Sequence, residues 1–171
     1  MAVAKSLADG HIKLTMLASA PADPDAITAA EIAAGTDISS WVLFSNYKLG
    51  PTGSSTIDEK SLAVAGNFQA LDASNYEGSI TLFRYYVDST GLPDVTGDAT
   101  FAALKTKGTT VHLVERESYK LSTAAMATGD EYSYFEAITD DPKRVDMKGY
   151  VKREIPLAIQ NAALNKVIVA S

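Results

Sequence analysis

Short stretches in which apolar and polar residues alternate, separated by turn-forming residues, limit most strongly how this chain can fold. The clearest lie at residues 79–88, 109–117, 131–139 and 148–160. Alternation with period two places successive side chains on opposite faces of a strand. Strands that recur about every 8–12 residues between turn signals are typical of sandwiches and barrels. The pattern therefore predicts a mainly β fold, a sandwich or barrel-like architecture of about eight or nine strands.

One segment predicts a short flanking helix, at residues 99–107. Phe101 and Leu104 are three residues apart, Asp98 stands where an N-cap belongs, and Gly108 follows as a stop signal. This combination of cap, apolar spacing and glycine is the usual mark of a helix.

In some segments the pattern is too weak to decide between helix, strand and turn. Residues 27–34 fit either one helical turn or the start of a strand, and residues 161–165 predict a turn. Pro156 cannot donate to a strand ladder, so it indicates an edge or a bulge. Short strands are also expected at residues 11–17, 41–47, 61–65, 68–71 and 166–170.

Length and composition bound the class of protein. The 171 residues suit one domain, and there is no cysteine, only two histidines and a net charge of -6. No cysteine excludes disulfide scaffolds, zinc-thiolate sites and thiol catalysis. An acidic chain does not favour a DNA-wrapping module. We therefore expect no enzyme and no cofactor, and no run is apolar and long enough to predict a membrane span.

The residues that could carry chemistry each have a structural explanation. The tract at 50–55 lacks the Lys-Ser/Thr ending of a phosphate loop. His112 is expected on a strand surface and His11 in solvent, while residues 115–117 are expected to form a charged strand surface. A hard cation is conceivable at the loop aspartates, although turn capping is the commoner role. These aspartates are Asp88, Asp94 and Asp98.

One basic cluster interrupts the acidic chain near its end. Its members are Lys143, Arg144, Lys148, Lys152 and Arg153. Acidic residues are interleaved with it, at Asp140, Asp141, Asp146 and Glu154. This mixture favours a salt-bridged strand or a subunit contact over a nucleic-acid surface.

Three segments, taken in order, carry a resemblance to a known family. Residues 27–39 match a Thr-x-x-Glu-apolar-x-x-Gly-x-Asp pattern, and residues 101–116 look like a short helix leading into a strand. Residues 140–142 and 149–157 are similar to a pair of closing strands. From about residue 11 to 170, the chain resembles the major tail tube proteins of long-tailed, non-contractile, siphovirus-type bacteriophages.

The resemblance implies a structural virion protein without catalytic or metal-binding residues. It implies six subunits whose sheets join into a ring with an inner barrel, and stacked rings through which phage DNA passes into the bacterial host without specific binding. Other copies of itself, the tape-measure, tail-tip and tail-terminator proteins would be its partners. Assembly would occur in the host cytoplasm, with no membrane partner. An acidic wall would repel the DNA backbone and let it slide.

On this interpretation the site residues are contacts. A flexible loop or hairpin at 48–59 and an N-terminal arm at 1–10 are expected to reach neighbouring rings. The inter-ring contact loop would comprise Lys48, Leu49, Gly50, Pro51, Thr52, Gly53 and Ser54. The barrel and its inter-subunit strands would use Ile80, Leu82, Arg84, Tyr86, Val151, Arg153 and Ile155. The candidates for the lumen wall are Asp72, Glu77, Asp130 and Glu131.

Two other interpretations stay open at this stage. A tube subunit of a contractile injection system would share the ring architecture. A carbohydrate-binding β-sandwich, a lectin-like adhesin, would use Trp41 or the tyrosines Tyr85, Tyr86, Tyr132 and Tyr134 as sugar platforms. Half-buried sheet aromatics account for the same tyrosines.

Overall fold

The computed structural model describes residues 7–57, 70–146 and 148–170. The strands are β1 (Ile12–Met16), β2 (Thr36–Asp37), β3 (Lys48–Pro51), β4 (Thr56–Ile57), β5 (Ala70–Leu71), β6 (Tyr76–Phe83), β7 (Thr110–Glu117), β8 (Glu131–Thr139), β9 (Lys143–Arg144) and β10 (Lys152–Val167). The helices are α1 (Ala29–Ala33) and α2 (Ala99–Leu104), with 3₁₀ turns at Ser39–Trp41 and Phe44–Asn46. None of the helices in these ranges is long and apolar enough to cross a membrane.

One antiparallel sheet organises the molecule, in the order β2-β1-β7-β8-β10-β6-β3, and β9 adds to β10. The 16-residue strand β10 joins its two halves, because its first five residues pair with β6 and the remainder pairs with β8. Pro156 is the last residue paired with β6. Next to it, a Cβ on Gly78 would lie 2.8 Å from the Cβ of Leu157, so glycine allows the strands to approach there.

The segment between β2 and β3 links the two ends of the open sheet by hydrogen bonds. The Ile38 amide donates to the Leu14 carbonyl of β1 at 2.9 Å, and the Leu43 amide donates to the Thr81 carbonyl of β6 at 2.8 Å. The Trp41 indole donates to the Gly97 carbonyl at 2.7 Å. These bonds connect the two ends of the sheet.

Two apolar clusters lie on opposite faces of β7 and β8. Leu113 belongs to the first cluster with Phe101 and Leu104 of α2. Its neighbour Val114 belongs to the second, with Ile32 of α1. Because each face is covered by a helix, these central strands are apolar on both sides.

The sequence predicted the central strands accurately and the mainly β fold class is confirmed. β8 has the predicted bounds, and β7 begins one residue later than predicted. The predicted strand at 79–88 begins earlier and ends at Phe83. The predicted strand piece at 61–65 lies outside the described residues, as do residues 68–69 of the piece at 68–71 and residues 1–6 of the N-terminal arm. Residues 70–71 of the predicted piece form the strand β5.

Residues 27–34, left open between a helical turn and a strand, form the helix α1, because Thr28 and Glu31 form a reciprocal capping box. Two predictions about local structure were wrong. Residues 41–47 contain 3₁₀ turns instead of a strand. The predicted turn at 161–165 is part of β10: Asn161 pairs with Glu136 of β8, and the register shifts at residue 160 and at residues 164–165, where Asn165 takes a φ of 53°.

Candidate assembly surfaces

The predicted inter-ring loop is mainly an edge strand. Lys48, Leu49, Gly50 and Pro51 form β3, which pairs with β6 on one side. Thr52, Gly53 and Ser54 connect β3 to β4, and the Thr52 amide donates to Asn75 O at 2.7 Å while Asn75 Nδ2 donates to Gly53 O at 3.0 Å. Of the two forms predicted, a loop or a hairpin, residues 48–57 form one arm of a hairpin, in which β3 pairs with β6 and β4 pairs with β5. Asp58 and Glu59 of the predicted segment lie outside the described residues.

The pairing pattern shows which backbone groups β3 leaves free. In an antiparallel pair, hydrogen-bonded and non-hydrogen-bonded residues alternate. Thr52 is bonded to Asn75, so Gly50 and Lys48 are also directed towards β6. The amide and carbonyl of Leu49 therefore point away from β6, towards the outer edge of the sheet.

The predicted barrel residues divide into buried and exposed groups. Ile80, Leu82 and Ile155 are 0 % exposed and pack in the subunit's own first cluster. They therefore line the interior of one copy and do not reach a neighbour. Tyr86 and Val151 are 41 % and 50 % exposed, and Arg153 is half-buried.

Arg84, the seventh of these residues, is committed to a buried ion pair. Its Nε lies 2.8 Å from Asp98 Oδ1 and its Nη2 lies 2.8 Å from Asp98 Oδ2. The guanidinium also lies 3.8 Å from the centre of the Phe101 ring. The hydrogen bonds to Asp98 raise the pKa of Arg84 above its ordinary value. Asp98 occupies the predicted N-cap position of α2, but its side chain makes no capping hydrogen bond. Its carboxylate binds Arg84 instead, where a metal cation had been conceivable.

A second buried arginine overturns the prediction that residues 115–117 form a charged strand surface. Arg116 is 0 % exposed. It donates to three carbonyls of the following loop, those of Leu121 at 2.7 Å, Ala124 at 3.2 Å and Ala125 at 3.1 Å. Arg116 therefore fixes the loop at 118–130 between β7 and β8.

Asp130, a candidate for the lumen wall, belongs to the same arrangement. It lies 2.5 Å from Lys120 and 3.6 Å from Arg116, and its side chain is 12 % exposed. Burial acts to raise the pKa of Asp130, but the hydrogen bonds from Lys120 and the Ala127 amide outweigh it and lower the pKa. Its charge is thus largely compensated inside the subunit.

The three other lumen candidates are on the surface. Glu77 lies 3.4 Å from Lys48 in an exposed pair, and exposed pairs of this kind contribute little stability. Asp72 and Glu131 are exposed, and no described cation lies within 4 Å of either carboxylate. They can present negative charge to solvent or to another molecule.

Glu115 is a buried carboxyl group, and no described cation lies within 4 Å of it. Tyr47 donates a hydrogen bond to it, and Glu117 lies close enough to repel it. Burial raises the pKa of Glu115 from its ordinary 4.5 to about 7, with the Tyr47 bond acting in the opposite direction and Glu117 adding to the rise. Burial, followed by the nearby Glu115 charge, also raises the pKa of Tyr47. The Glu115 carboxyl group, with its pKa of about 7, therefore titrates near neutral pH.

The side chains that could take part in catalysis make structural contacts instead. His112 Nδ1 lies 2.8 Å from the Tyr134 hydroxyl, and His11 packs beside Tyr119 with ring centres 5.9 Å apart. Asp94 accepts bonds from Thr96 and Gly97 within its own turn. Trp41, which the lectin interpretation required on the surface, is half-buried against the core. In the part of the chain that the structure describes, no three His, Asp or Glu residues are grouped to hold a metal ion.

Comparison with known families identifies the chain. A family model described as phage tail tube protein matches residues 1–171. The chain belongs to this family. The predicted resemblance to tail tube proteins and the structural role in a tail tube are therefore confirmed. The family is structural and is not a class of enzymes, and its name implies a component of the virion tail that assembles into a tube.

A solved structure shows the same fold for this tail tube protein. The SPP1 tail tube, determined by solid-state NMR and cryo-electron microscopy, is similar with a TM-score of 0.54 and 14% sequence identity. The match covers 93% of this chain and 78% of that chain. No curated protein matches the sequence.

Proposed function

We propose that six copies of this tail tube protein join edge to edge into a ring, and that stacked rings form the conduit for phage DNA. Membership of the tail tube family supports the tube. The tape-measure, tail-tip and tail-terminator proteins would complete the tail, which would assemble in the cytoplasm of the host bacterium.

The observation that carries the ring is the pair of open sheet edges. Among the described strands β3 pairs with β6 alone, and at the other end of the sheet order β2 covers Thr15 and Met16 of β1. Ile12 and Lys13 of β1 therefore have no strand beside them on that side in the described ranges. Open edges readily accept a further strand. Two different edges joined head to tail produce a ring or an open filament.

Charge supports the passage of DNA through such a ring. The chain carries a net charge of -6, and Asp72 exposes a carboxylate without a described cation nearby. A negatively charged wall repels phosphates, so DNA would not be held by it. Of the four lumen candidates we assign Asp72 and Glu77 to the wall. Asp130 contributes less because its charge is paired, and Glu131 lines a separate pocket with Glu117.

Electron microscopy of the purified, concentrated protein tests the proposal directly. We expect hollow tubes or stacked rings of uniform diameter, with six-fold averages in end-on views. A protein that stays monomeric at every concentration and salt, or that forms small closed oligomers, would contradict it.

A matched pair of variants tests the edge contact. Leu49→Pro removes the outward amide of β3, whereas Leu49→Ala trims the side chain and retains that amide. We expect rings from Leu49→Ala and none from Leu49→Pro, with circular dichroism showing that both subunits fold. Equal ring formation by the two variants would exclude β3 as a joint.

A further inference from the structure

Two pockets of opposite charge lie at the two ends of β10. At its beginning Arg153 pairs with Arg144 of β9, and at its end Val167 pairs with Glu131 of β8. A strand rises about 3.3 Å per residue, so a straight strand of this length would span roughly 50 Å, and its irregularities shorten this. The two pockets therefore cannot meet within one copy.

The pocket at the end of β10 is acidic. It is lined by Glu115, Glu117, Glu131, Tyr132, Ser133 and Asn165. Glu117 and Glu131 are exposed, and no described cation lies within 4 Å of their carboxylates. The nearby cations already have partners: Arg116 and Lys120 face Asp130, and Lys166 lies 3.1 Å from Asp25. The negative charge of the pocket is thus uncompensated.

The pocket at the beginning of β10 is basic. It is lined by Arg144, Asp146, Gly149, Tyr150, Val151, Lys152 and Arg153. Its one acid, Asp146, lies 2.9 Å from Lys152. Arg144 is exposed, and none of the described carboxylates lies within 4 Å of it.

The acids surrounding this basic pocket are largely engaged elsewhere. Asp140 and Asp141 lie 2.6 Å and 3.5 Å from Lys107. Glu154 stands opposite Lys143 in the β9–β10 pairing. Beside Arg144, the side chain of Tyr150 is 80 % exposed and offers a large apolar contact. An unpaired guanidinium next to an exposed aromatic ring is the composition that interfaces favour.

We propose that Arg144 of one copy enters the acidic pocket of Glu117 and Glu131 on a second copy, joining the two head to tail along β10. The inference rests on the proposed function, since it names a contact within the tube. The partner we propose is a second copy, because every copy carries one acidic and one basic pocket. Complementary charge selects the partner and fixes its register. The contact joins two different surfaces, so it can propagate from copy to copy.

Cysteine cross-linking tests the contact on a clean background, because the natural chain has no cysteine. The double variant Glu131→Cys with Arg144→Cys is assembled, treated with a short bismaleimide that couples two thiols, and separated by denaturing electrophoresis. An arginine that reaches a glutamate holds the two Cα atoms farther apart than the roughly 7 Å that a disulfide allows, so the linker replaces the length of the side chains. The linker is too short to join the two ends of β10 within one copy. We expect a ladder of dimers, trimers and higher species. Each single variant should give no species beyond a dimer.

Charge exchange supplies an independent readout. Arg144→Glu should raise the concentration needed for assembly by about tenfold, and so should Glu117→Lys with Glu131→Lys. The triple variant with both changes should recover most of the loss. Lys105→Glu reverses an exposed charge outside both pockets and should assemble as the natural chain does.

The outcomes separate the contact from the proposed function. Tubes that give no ladder and tolerate both reversals would overturn the contact and leave the tube intact. If the natural chain does not assemble and the double cysteine variant gives no ladder, both the contact and the proposed function are overturned. A ladder together with rescue by charge exchange establishes the contact.

Discussion

Two long loops of this tail tube protein are each anchored by a buried arginine, but the arginines are neutralised in different ways. The loop between β6 and α2 is held by Arg84, whose guanidinium donates two hydrogen bonds to the carboxylate of Asp98. The loop between β7 and β8 is held by Arg116, which donates to three carbonyls, with Asp130 at 3.6 Å. Arg84 therefore depends on one ion pair, whereas the hydrogen bonds of Arg116 are distributed over several backbone carbonyls of its loop.

The two arginines are expected to protect different properties of the molecule. Removing one partner of a buried ion pair leaves an uncompensated charge, so the cost falls on the whole fold. A guanidinium that satisfies several neutral carbonyls mainly determines the conformation of the loop that supplies them. The first anchor should therefore govern global stability, and the second should govern local order.

Asp98→Asn should have the largest effect, because it leaves the Arg84 charge without its carboxylate. Asp98 is 4 % exposed, and the side chain of Arg84 is 11 % exposed. We expect a loss of about 3–5 kcal/mol in the free energy of unfolding, measured by urea denaturation.

The double variant Arg84→Met with Asp98→Leu is the control for that loss. If the cost comes from an orphaned charge, removing both partners should destabilise less than Asp98→Asn alone. A double variant at least as unstable as the single one would show that packing around Phe101 dominates instead.

A third buried charge, Glu115, extends the comparison because it has no cation. Its pKa is about 7 in the folded protein and 4.5 ordinarily, so the folded state holds a proton that the unfolded state has released. The free energy of unfolding should fall as pH rises from about 4.5 to about 7, by on the order of 3 kcal/mol, and then level off. Glu115→Gln should remove this decline when unfolding is measured across the pH series.

Tyr47→Phe provides the matched variant for Glu115. The Tyr47 hydrogen bond lowers the pKa of Glu115, so its loss should raise that pKa further and extend the decline to higher pH. A decline that is unchanged in Glu115→Gln would assign the titration to another group.

The buried charges also show where sequence reasoning ended. Alternation located β7 and β8 because apolar residues on both faces leave one arrangement for such a strand. The same alternation suggested an exposed surface at 115–117, since sequence does not reveal that the loop after β7 folds back over Arg116. α1 did carry a local signal, the Thr28–Glu31 capping box, which the helix prediction did not use.

The two regions predicted to make contacts, residues 48–54 and β10, also depart from their predictions because of pairing with distant strands. The glycine and proline at 50–51 favoured a loop, but β6 provides a partner that converts these residues into an edge strand. The continuation of β10 past Asn161 depends on pairing with β8, which tolerates two irregularities. The charged pockets join residues far apart in sequence, such as Glu117 and Glu131, so only the sheet register brings them together.

Arg116→Lys should have the smallest effect on the whole molecule and the most local one. Lysine keeps the positive charge but cannot reproduce the fork that reaches three carbonyls. We expect a loss of about 2 kcal/mol in the free energy of unfolding, since buried carbonyls lose their donors. Hydrogen exchange should accelerate in residues 118–130 while the amides of β6 and β10 stay protected. Asp98→Asn should instead accelerate exchange throughout the sheet. If Arg116→Lys also accelerated exchange throughout the sheet, the two arginines would not differ in the way proposed.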